Sequence, residues 1–486
     1  MKLYNTMTRS IEEFKPTAAP AVGLYACGFT VYDYTHLGHL RKYTMDDVLI
    51  RTLRHAGYKV HFVQNVTDVG HLASDADTGE DKLEKGAKKY GKTVWDIARE
   101  FEQYFFKSMD AMGNLRPDVS CRATEHIEEQ VEMVLELERK GFTYVIENDG
   151  VYFDTAKDPD YGKLAKLKLD DLQEGARIGR VEGKRNPTDF ALWKFEREGE
   201  NRAMVWESPW AKRSFPGWHI ECSAMAMKYL GEQFDIHTGG IDHIPVHHTN
   251  EIAQAESATG KEPFVRYWVH HNHLFVNGEK MSKSLGNFYT IDDVLKRGID
   301  PKALRLLLLT SHYRSEMNFT WENLEGAQKA WNKLVKLVVQ FRGEEGRTIL
   351  SPEKLEKVDE YRRRFFSYIE DDLKTPEAVS ILHEVAKSNI PGPDKYDLLL
   401  EFDEVLGLGL RSVQDTVKEG SVAVEVGEAA QVVQELFEKR QAARAAKDWS
   451  TADQLRDQLL AAGYEVIDTP AGPQLRAVHP SVAASQ

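Results

Sequence analysis

Residues 22–66 constrain this chain more than any other stretch. A short apolar run, 22–26, ends in Cys27-Gly28, and a loop rich in aromatics, 29–34, follows. His36-Leu37-Gly38-His39 then opens a helix that the pattern carries to about Gly57, and a second apolar run occupies 60–66. Strand, glycine-containing loop, helix and strand make half of a doubly wound nucleotide-binding sheet. His36 and His39 are three residues apart, so at a helix start they share one face. Gly38 between them lets a flat ring approach the backbone. Two imidazoles at a helix N-terminus form a site for polyphosphate.

The 486 residues suffice for about two to four domains. A hydrophobic content of 42% is enough to build real cores. No apolar run is long enough to span a bilayer, and MKLYNTMTRS lacks an apolar signal core, so no membrane partner is expected. Three cysteines, Cys27, Cys121 and Cys222, cannot make a disulfide framework, which fits a reducing cytoplasm. The net charge is −14. Phosphate neutralisation drives most nucleic-acid affinity, so any RNA contact must use local basic patches.

Near residue 112 the strand–helix rhythm breaks. Short strand candidates such as 150–153, an acidic stretch at 170–174 and Gly- and Arg-containing turns read as an insertion over about 112–205. The second half-sheet resumes with FPGWHIECSAM, a helix near 220–229, a strand at 234–237 ending in Gly239-Gly240, and a helix over about 247–259. Strands at 264–269 and 273–276 lead into Lys280-Met281-Ser282-Lys283-Ser284. Gly278 and Gly286 flank that lysine-bearing loop, which can therefore close on phosphates. Helical periodicity follows from Pro301, through 321–341 and 353–410. Residues 411–428 read as a linker. Helices at 432–446 and 450–462, a strand-like 464–467 and a Pro/Gly turn end the pattern, and HPSVAASQ reads as disordered. The domain reading is 1–310, 311–428 and 429–486.

One motif is a decoy. The segment from Gly86 to Thr93, GAKKYGKT, fits the Walker A pattern. A true phosphate loop follows a buried strand, and the preceding EDKLEK is not one. Thr93 with Asp96 instead reads as a capping box opening a helix over 94–109.

Soft and borderline donors are spread along the same half-sheets. Cys27 ends the first apolar run, Cys222 lies on the helix after Trp218, and His247 and Glu251 sit four apart on one helix face. Strand ends of an open α/β sheet converge on one crevice, so these positions can meet. Thiolate, imidazole and carboxylate together suit zinc. From the residues alone, His237, His243 and His248 compete for the same role.

His36-Leu37-Gly38-His39 resembles the HIGH motif of class I aminoacyl-tRNA synthetases, with Leu37 for the usual Ile, and 280–284 resembles their KMSKS loop. GWHIECSAM, FDIHTGG, VHHTNEIAQ, RNPTDFALWK, MSKSLGN, DPKALRLLLLTSHYRS and ARAAKDWSTADQLRDQLLAAGYEV together are similar to the cysteinyl-tRNA synthetase family over nearly the whole chain. The resemblance implies an α/β chain: a Rossmann-like catalytic domain with an inserted subdomain, a helical bundle, and a small C-terminal α+β anticodon-binding module. It implies activation of cysteine by ATP to cysteinyl-adenylate, then transfer to the 3′-terminal ribose of tRNA. It implies one zinc per chain on Cys27, Cys222, His247 and Glu251, binding the substrate thiolate, and magnesium accompanying ATP. His36, Gly38, His39 and Lys283 would contact ATP, with Lys280 assisting. Gly28, Thr67, Trp218, His237, Gly239, Gly240 and Asp242 would contact the substrate. Arg444, Trp449, Asp453 and Asp468 would read the anticodon. A cytoplasmic monomer is expected.

The chain departs from the family in two places. The usual TDxDDK becomes Thr67-Asp68-Val69-Gly70-His71 followed by LASDADTGEDK, and PHHENE becomes VHHTNE. These changes leave the ligand positions in place, while His71 and His243 have no assigned role. A related ligase that joins cysteine to an amino-sugar resembles the same catalytic half but lacks the long C-terminal half, so 311–470 argue against it. Intact HIGH and KMSKS residues argue against an idle, zinc-stabilised RNA-binding protein.

Overall fold

Strand β1 (Ala21–Thr30), helix α1 (Leu37–His55) and strand β2 (Lys59–Thr67) realise the opening pattern. Strand β3 (Val119–Arg122) pairs with β2. Helix α2 (Trp218–Leu230), strand β4 (Phe234–Gly240), helix α3 (His247–Thr259) and strand β5 (Val265–His271) supply the second half. The five strands form one parallel sheet in the order β5-β4-β1-β2-β3. Chain order reverses between β1 and β4. In open α/β sheets that switch point, outside the carboxyl ends of the strands, is where ligands bind. The computed structural model describes residues 1–70, 81–166, 182–283, 285–344, 346, 349–414, 428–446, 448–461, 464–469 and 472–477.

A two-residue period on β1 assigns its side chains to opposite faces. Val22, Leu24 and Ala26 join a core with Leu40, Val48 and Leu49 of α1. Tyr25 and Cys27 join a second core with Ile220, Cys222 and Met225 of α2 and Ile252 of α3. Cys27 thus faces the two helices that carry the other candidate ligands. Both faces are covered, as a parallel sheet requires.

Two sequence expectations change here. β1 continues past residue 26 to Thr30, with an irregularity between Ala26 and Phe29. Cys27-Gly28 therefore lies inside a bulged strand rather than at its end, and a bulge re-aims a side chain near a site. Residues 119–122, read as part of the insertion, finish the first half-sheet as an edge strand. VSCR is short and half polar, so it carries little periodic signal. A separate four-stranded antiparallel sheet runs through Thr143–Ile146, Gly150–Phe153, Phe190–Phe195 and Ser214–Pro216. The acidic stretch 170–174 and His71 lie outside the described residues.

The Walker-like segment is helical. Asp81 caps Lys82–Tyr90, its Oδ1 accepting from Leu83 N at 2.7 Å, and Gly91 ends the helix at φ 64°. Thr93 then caps Val94–Met112, with Asp96 N donating to Thr93 Oγ1 at 3.1 Å.

Helices Pro301–Leu309, Trp321–Gly343, Pro352–Ile369, Thr375–Lys387 and Gly392–Leu406 extend the α1-side core. Arg305 ties them to α1. It is fully buried, donates to Leu406 O and Asn114 Oδ1 at 2.6 Å each, and pairs with Asp47. Breaking a buried pair strands the remaining polar groups. Arg305→Ala should lower stability by about 3 kcal/mol or more, read from urea unfolding; a loss below about 0.5 kcal/mol would contradict this account.

The compact units are Met1–Val417 and Lys418–Gln486. The second contains helices Glu428–Ala445 and Trp449–Ala461 and a hairpin, Tyr464–Thr469 with Gly472–Ala477. Its second strand stands where the sequence suggested only a turn. Most of the expected linker, 415–427, and the last residues, 478–486, lie outside the described residues. Among those described, no helix is long and apolar enough to cross a membrane.

Candidate active site

A cleft of about 390 Å³ opens at the switch point. Its lining includes Cys27, Gly28, His36, Gly38, His39, Lys42, Trp218, Gly240, Asp242, His243 and Lys280.

At one end stand the two histidines of α1. His36 caps the helix, its Nδ1 accepting from Gly38 N at 3.1 Å, while His39 Nδ1 accepts from His36 N at 3.3 Å. The rings stack with centroids 3.6 Å apart. Gly38 makes this possible, because a Cβ there would lie 2.9 Å from His36 Cε1. Burial pushes His36 down to about 4. Burial, then His36 and Lys42, hold His39 well below the usual imidazole range. Both rings are therefore neutral near pH 7. Since each Nδ1 accepts, each proton sits on Nε2. The pair therefore offers hydrogen-bond donors, not cationic charge. The capping role and the candidate phosphate role coexist in His36.

The KMSKS segment is tied to the same helix. Leu37 N donates to Tyr289 O at 2.9 Å, and His36 bridges to Thr290. Lys280 is exposed on the short strand Glu279–Lys280. Lys283 pairs with Asp33 in the loop before α1. Asn287 braces the turn, accepting from Ser282 N at 2.7 Å and donating to Lys280 O at 3.0 Å.

At the other end, the ligand atoms of Cys27, Cys222, His247 and Glu251 lie within 4.8 Å of one another, all buried. His247 Nε2 is 3.0 Å from Glu251 Oε1, yet neither atom makes a hydrogen bond. Burying such groups without a counter-ion is costly. A hydrogen bond from Cys222, with His243 and His247 beside it, holds the Cys27 thiol well below its usual range. The same bond and burial push Cys222 up. Burial lowers His247, but the Cys27 and Glu251 charges outweigh it and push it up to about 10. The cluster attracts positive charge, and two sulfurs, one imidazole and one carboxylate fit zinc.

Neighbouring side chains orient these donors, as metal ligands require. His237 Nε2 donates to Glu251 Oε2 at 2.8 Å, and His219 Nδ1 shares a proton with His247 Nδ1 at 2.9 Å. The competing histidines are close by. Cys27, His243 and His248 form a second possible set, and His237, His248 and Glu251 a third. Only the set with both cysteines offers four donors among the described residues. Cys121 is elsewhere, 3.7 Å from Gln64 O, and burial pushes its thiol up to about 12.

The remaining expected substrate contacts divide. Gly28, Trp218, Gly240 and Asp242 line the cleft. Trp218 also packs against His247, with centroids 4.5 Å apart and the rings tilted by 34°. His237 and Gly239 are buried and are not among the cleft's lining residues. His237 is buried against Trp268 and holds Glu251, while a Cβ at Gly239 would strike His248 Cε1 at 2.4 Å. Thr67 is buried, accepting from Asn65 Nδ2 at 3.1 Å. Sequence reasoning missed Asn65, whose Oδ1 accepts from Gly28 N at 2.7 Å and whose carbonyl would lie 1.6 Å from a Cβ at Gly28. A polar residue inside the apolar run 60–66 was the available signal.

In the C-terminal unit, Arg444 lies in the last turn of its helix and is half-buried. Trp449 and Asp453 are four apart on the next helix and exposed; Asp453 pairs with Arg456 at 3.1 Å. Asp468 lies on the hairpin, in register with Pro473.

The family of class I (C) tRNA synthetase catalytic domains matches residues 13–329, and the cysteinyl-tRNA ligase anticodon binding domain matches 427–476. Cysteine–tRNA ligase 1 of Burkholderia lata is 46% identical over 476 residues, covering 98% of this chain and 96% of that protein. Cysteine–tRNA ligase of Treponema denticola is 43% identical over 487 residues, covering 96% and 98%. Among solved structures, Mycobacterium tuberculosis methionyl-tRNA synthetase bound by methionyl-adenylate aligns with a TM-score of 0.55 at 15% identity, covering 79% of this chain and 89% of that one. That last likeness is one of fold alone.

Proposed function

Because the chain belongs to the cysteine–tRNA ligases, within the class I aminoacyl-tRNA synthetases, we propose that its cleft binds cysteine with the thiol at the Cys27 end and ATP at the His36–His39 end. One observation carries the reading: Cys27 of the four-donor cluster and both motif histidines open onto the same cleft. Zinc bound there supplies a soft Lewis acid that favours sulfur and lowers a thiol pKa.

The chain's own residues do the rest by positioning and charge stabilisation. His36 and His39 donate Nε2–H to phosphate oxygens. Lys283 leaves Asp33 and closes on the polyphosphate, with Lys280 adding charge from the rim and magnesium accompanying ATP. Gly240 gives ribose or adenylate close access, and Asp242 accepts from ammonium or ribose. The cysteine carboxylate attacks the α-phosphate, pyrophosphate leaves, and a terminal ribose hydroxyl of tRNA then takes the acyl group with release of AMP. Cysteine-dependent exchange of pyrophosphate into ATP tests the first step; no exchange by the zinc-loaded chain would defeat the reading.

Arg444, Trp449, Asp453 and Asp468 are proposed to read the anticodon. Unpaired bases suit hydrogen bonding with stacking, and Trp449 offers an exposed ring. Asp453→Ala should weaken tRNA charging by about tenfold while leaving pyrophosphate exchange intact. Equal charging of normal and anticodon-altered tRNA by the unmodified chain would refute this role.

A further inference from the structure

Lys42 belongs to neither signature motif, yet it lies on the floor of the cleft. It follows His39 by three residues on α1, so it continues the same helix face. Its ammonium donates to Cys27 O at 2.8 Å and pairs with Asp46 Oδ2 at 2.8 Å. An ammonium has three donors; the hydrogen bond to Cys27 O, the ion pair with Asp46 and the Tyr43 ring, 4.3 Å from Nζ to its centroid, hold it in place while the side chain stays 13% exposed. Asp46 is itself clamped, since its Oδ1 accepts from buried His271 Nε2 at 2.8 Å. Burial would raise the Asp46 carboxyl, but Lys42 and His271 hold it down to about 2, so it stays charged.

The reaction brings a carboxylate onto an anionic phosphate, beside a cluster rich in thiolate and carboxylate. Away from the metal cluster, the side chains of the cleft supply little fixed positive charge. His36 and His39 are neutral, Lys283 is paired with Asp33, and Lys280 is exposed on the rim. We propose that Lys42 forms a carboxylate subsite: an N–H not given to Cys27 takes the α-carboxylate of the amino-acid substrate and screens it as it meets the α-phosphate. Cys27 links the two ends. Its sulfur belongs to the metal cluster and its carbonyl holds the ammonium, so one residue spaces thiol from carboxylate.

The inference rests on the proposed cysteine site, and a pair of ligands separates the two. L-cysteine and cysteamine share the thiol and amine, but cysteamine lacks the carboxylate. Binding of each to the zinc-loaded full chain, without ATP, is measured by calorimetry, with zinc content determined in parallel. The unmodified chain should prefer cysteine by roughly 10- to 100-fold, the worth of one charge-assisted hydrogen bond. Lys42→Met should bring that ratio near one, with cysteamine affinity and zinc content unchanged, and Lys42→Arg should recover part of it. Should Lys42→Met lose zinc, Asp46→Asn, which loosens the clamp, must still lower the ratio. A preserved ratio in these variants, or equal weakening of both ligands, would overturn the subsite and leave Lys42 a brace for Cys27. An unmodified chain that binds neither ligand would remove the cysteine site itself, and the subsite with it.

Discussion

Replacing Lys283 by alanine is expected to lower the single-turnover rate of adenylate formation by about 100-fold or more, about 2.7 kcal/mol of barrier, with zinc content unchanged. Lys283 sits on a turn whose ends are braced by Asn287, and Gly286 there adopts φ 66°. Beside it Leu285 is 59% exposed, so little packing opposes loop movement. The partner Lys283 now holds, Asp33, lies three residues before the cap of α1. In the proposed closure Lys283 would exchange that carboxylate for a phosphate, one anion for another. Developing charge on the transferring phosphoryl group then meets a cation that the neutral His36 and His39 do not supply. Loss of this interaction acts on the transition state and leaves the metal cluster untouched. A single-turnover rate unchanged in Lys283→Ala would show that the lysine does no catalytic work.

Much of this was legible because the signals were local. Short apolar runs placed β1 and β2, the pattern between them placed α1, and a His–Glu spacing of four placed α3. His36 and His39 declared themselves as a pair three residues apart. What stayed hidden depends on pairings distant in sequence. VSCR became a sheet strand only because β2 offered an edge, and Gly472–Ala477 only because Tyr464–Thr469 did. The irregularity at Cys27-Gly28 sits where Gly28 packs against Asn65, a pairing that no spacing rule reveals. The family resemblance implies a substrate contact at His237; that its ring is fully buried and donates to Glu251 is visible only in the fold. The charge state of the two motif histidines likewise follows from burial, which the motif does not encode.

The second large effect concerns the choice between cysteine and serine, which differ by sulfur against oxygen. A shape-based pocket separates ligands differing by about a methylene only ~10–200-fold. Protein synthesis requires roughly 10⁴–10⁵-fold, and no editing domain is evident in the sequence pattern. Zinc favours soft sulfur over a hydroxyl and so offers a chemical criterion. The zinc-loaded chain should prefer cysteine by about 10⁴-fold or more in kcat/KM, and Cys222→Ser should fall towards the ~10–200-fold of shape alone. Four protein donors ordinarily close a zinc site. Of the four, Glu251 is the hard oxygen donor and would be the one to loosen as sulfur arrived, with His237 Nε2 at 2.8 Å from its Oε2 to hold the freed carboxylate. A chain in which zinc merely pins Cys27 to α2 and α3 would keep its selectivity wherever it kept its fold.

Cobalt in place of zinc makes the thiol visible. In cobalt-loaded protein that still forms the adenylate, adding cysteine should strengthen the sulfur-to-metal charge-transfer band, and adding serine should leave the spectrum as it was. A band indifferent to cysteine in that same active protein would leave the metal structural and contradict the claim that it selects the substrate.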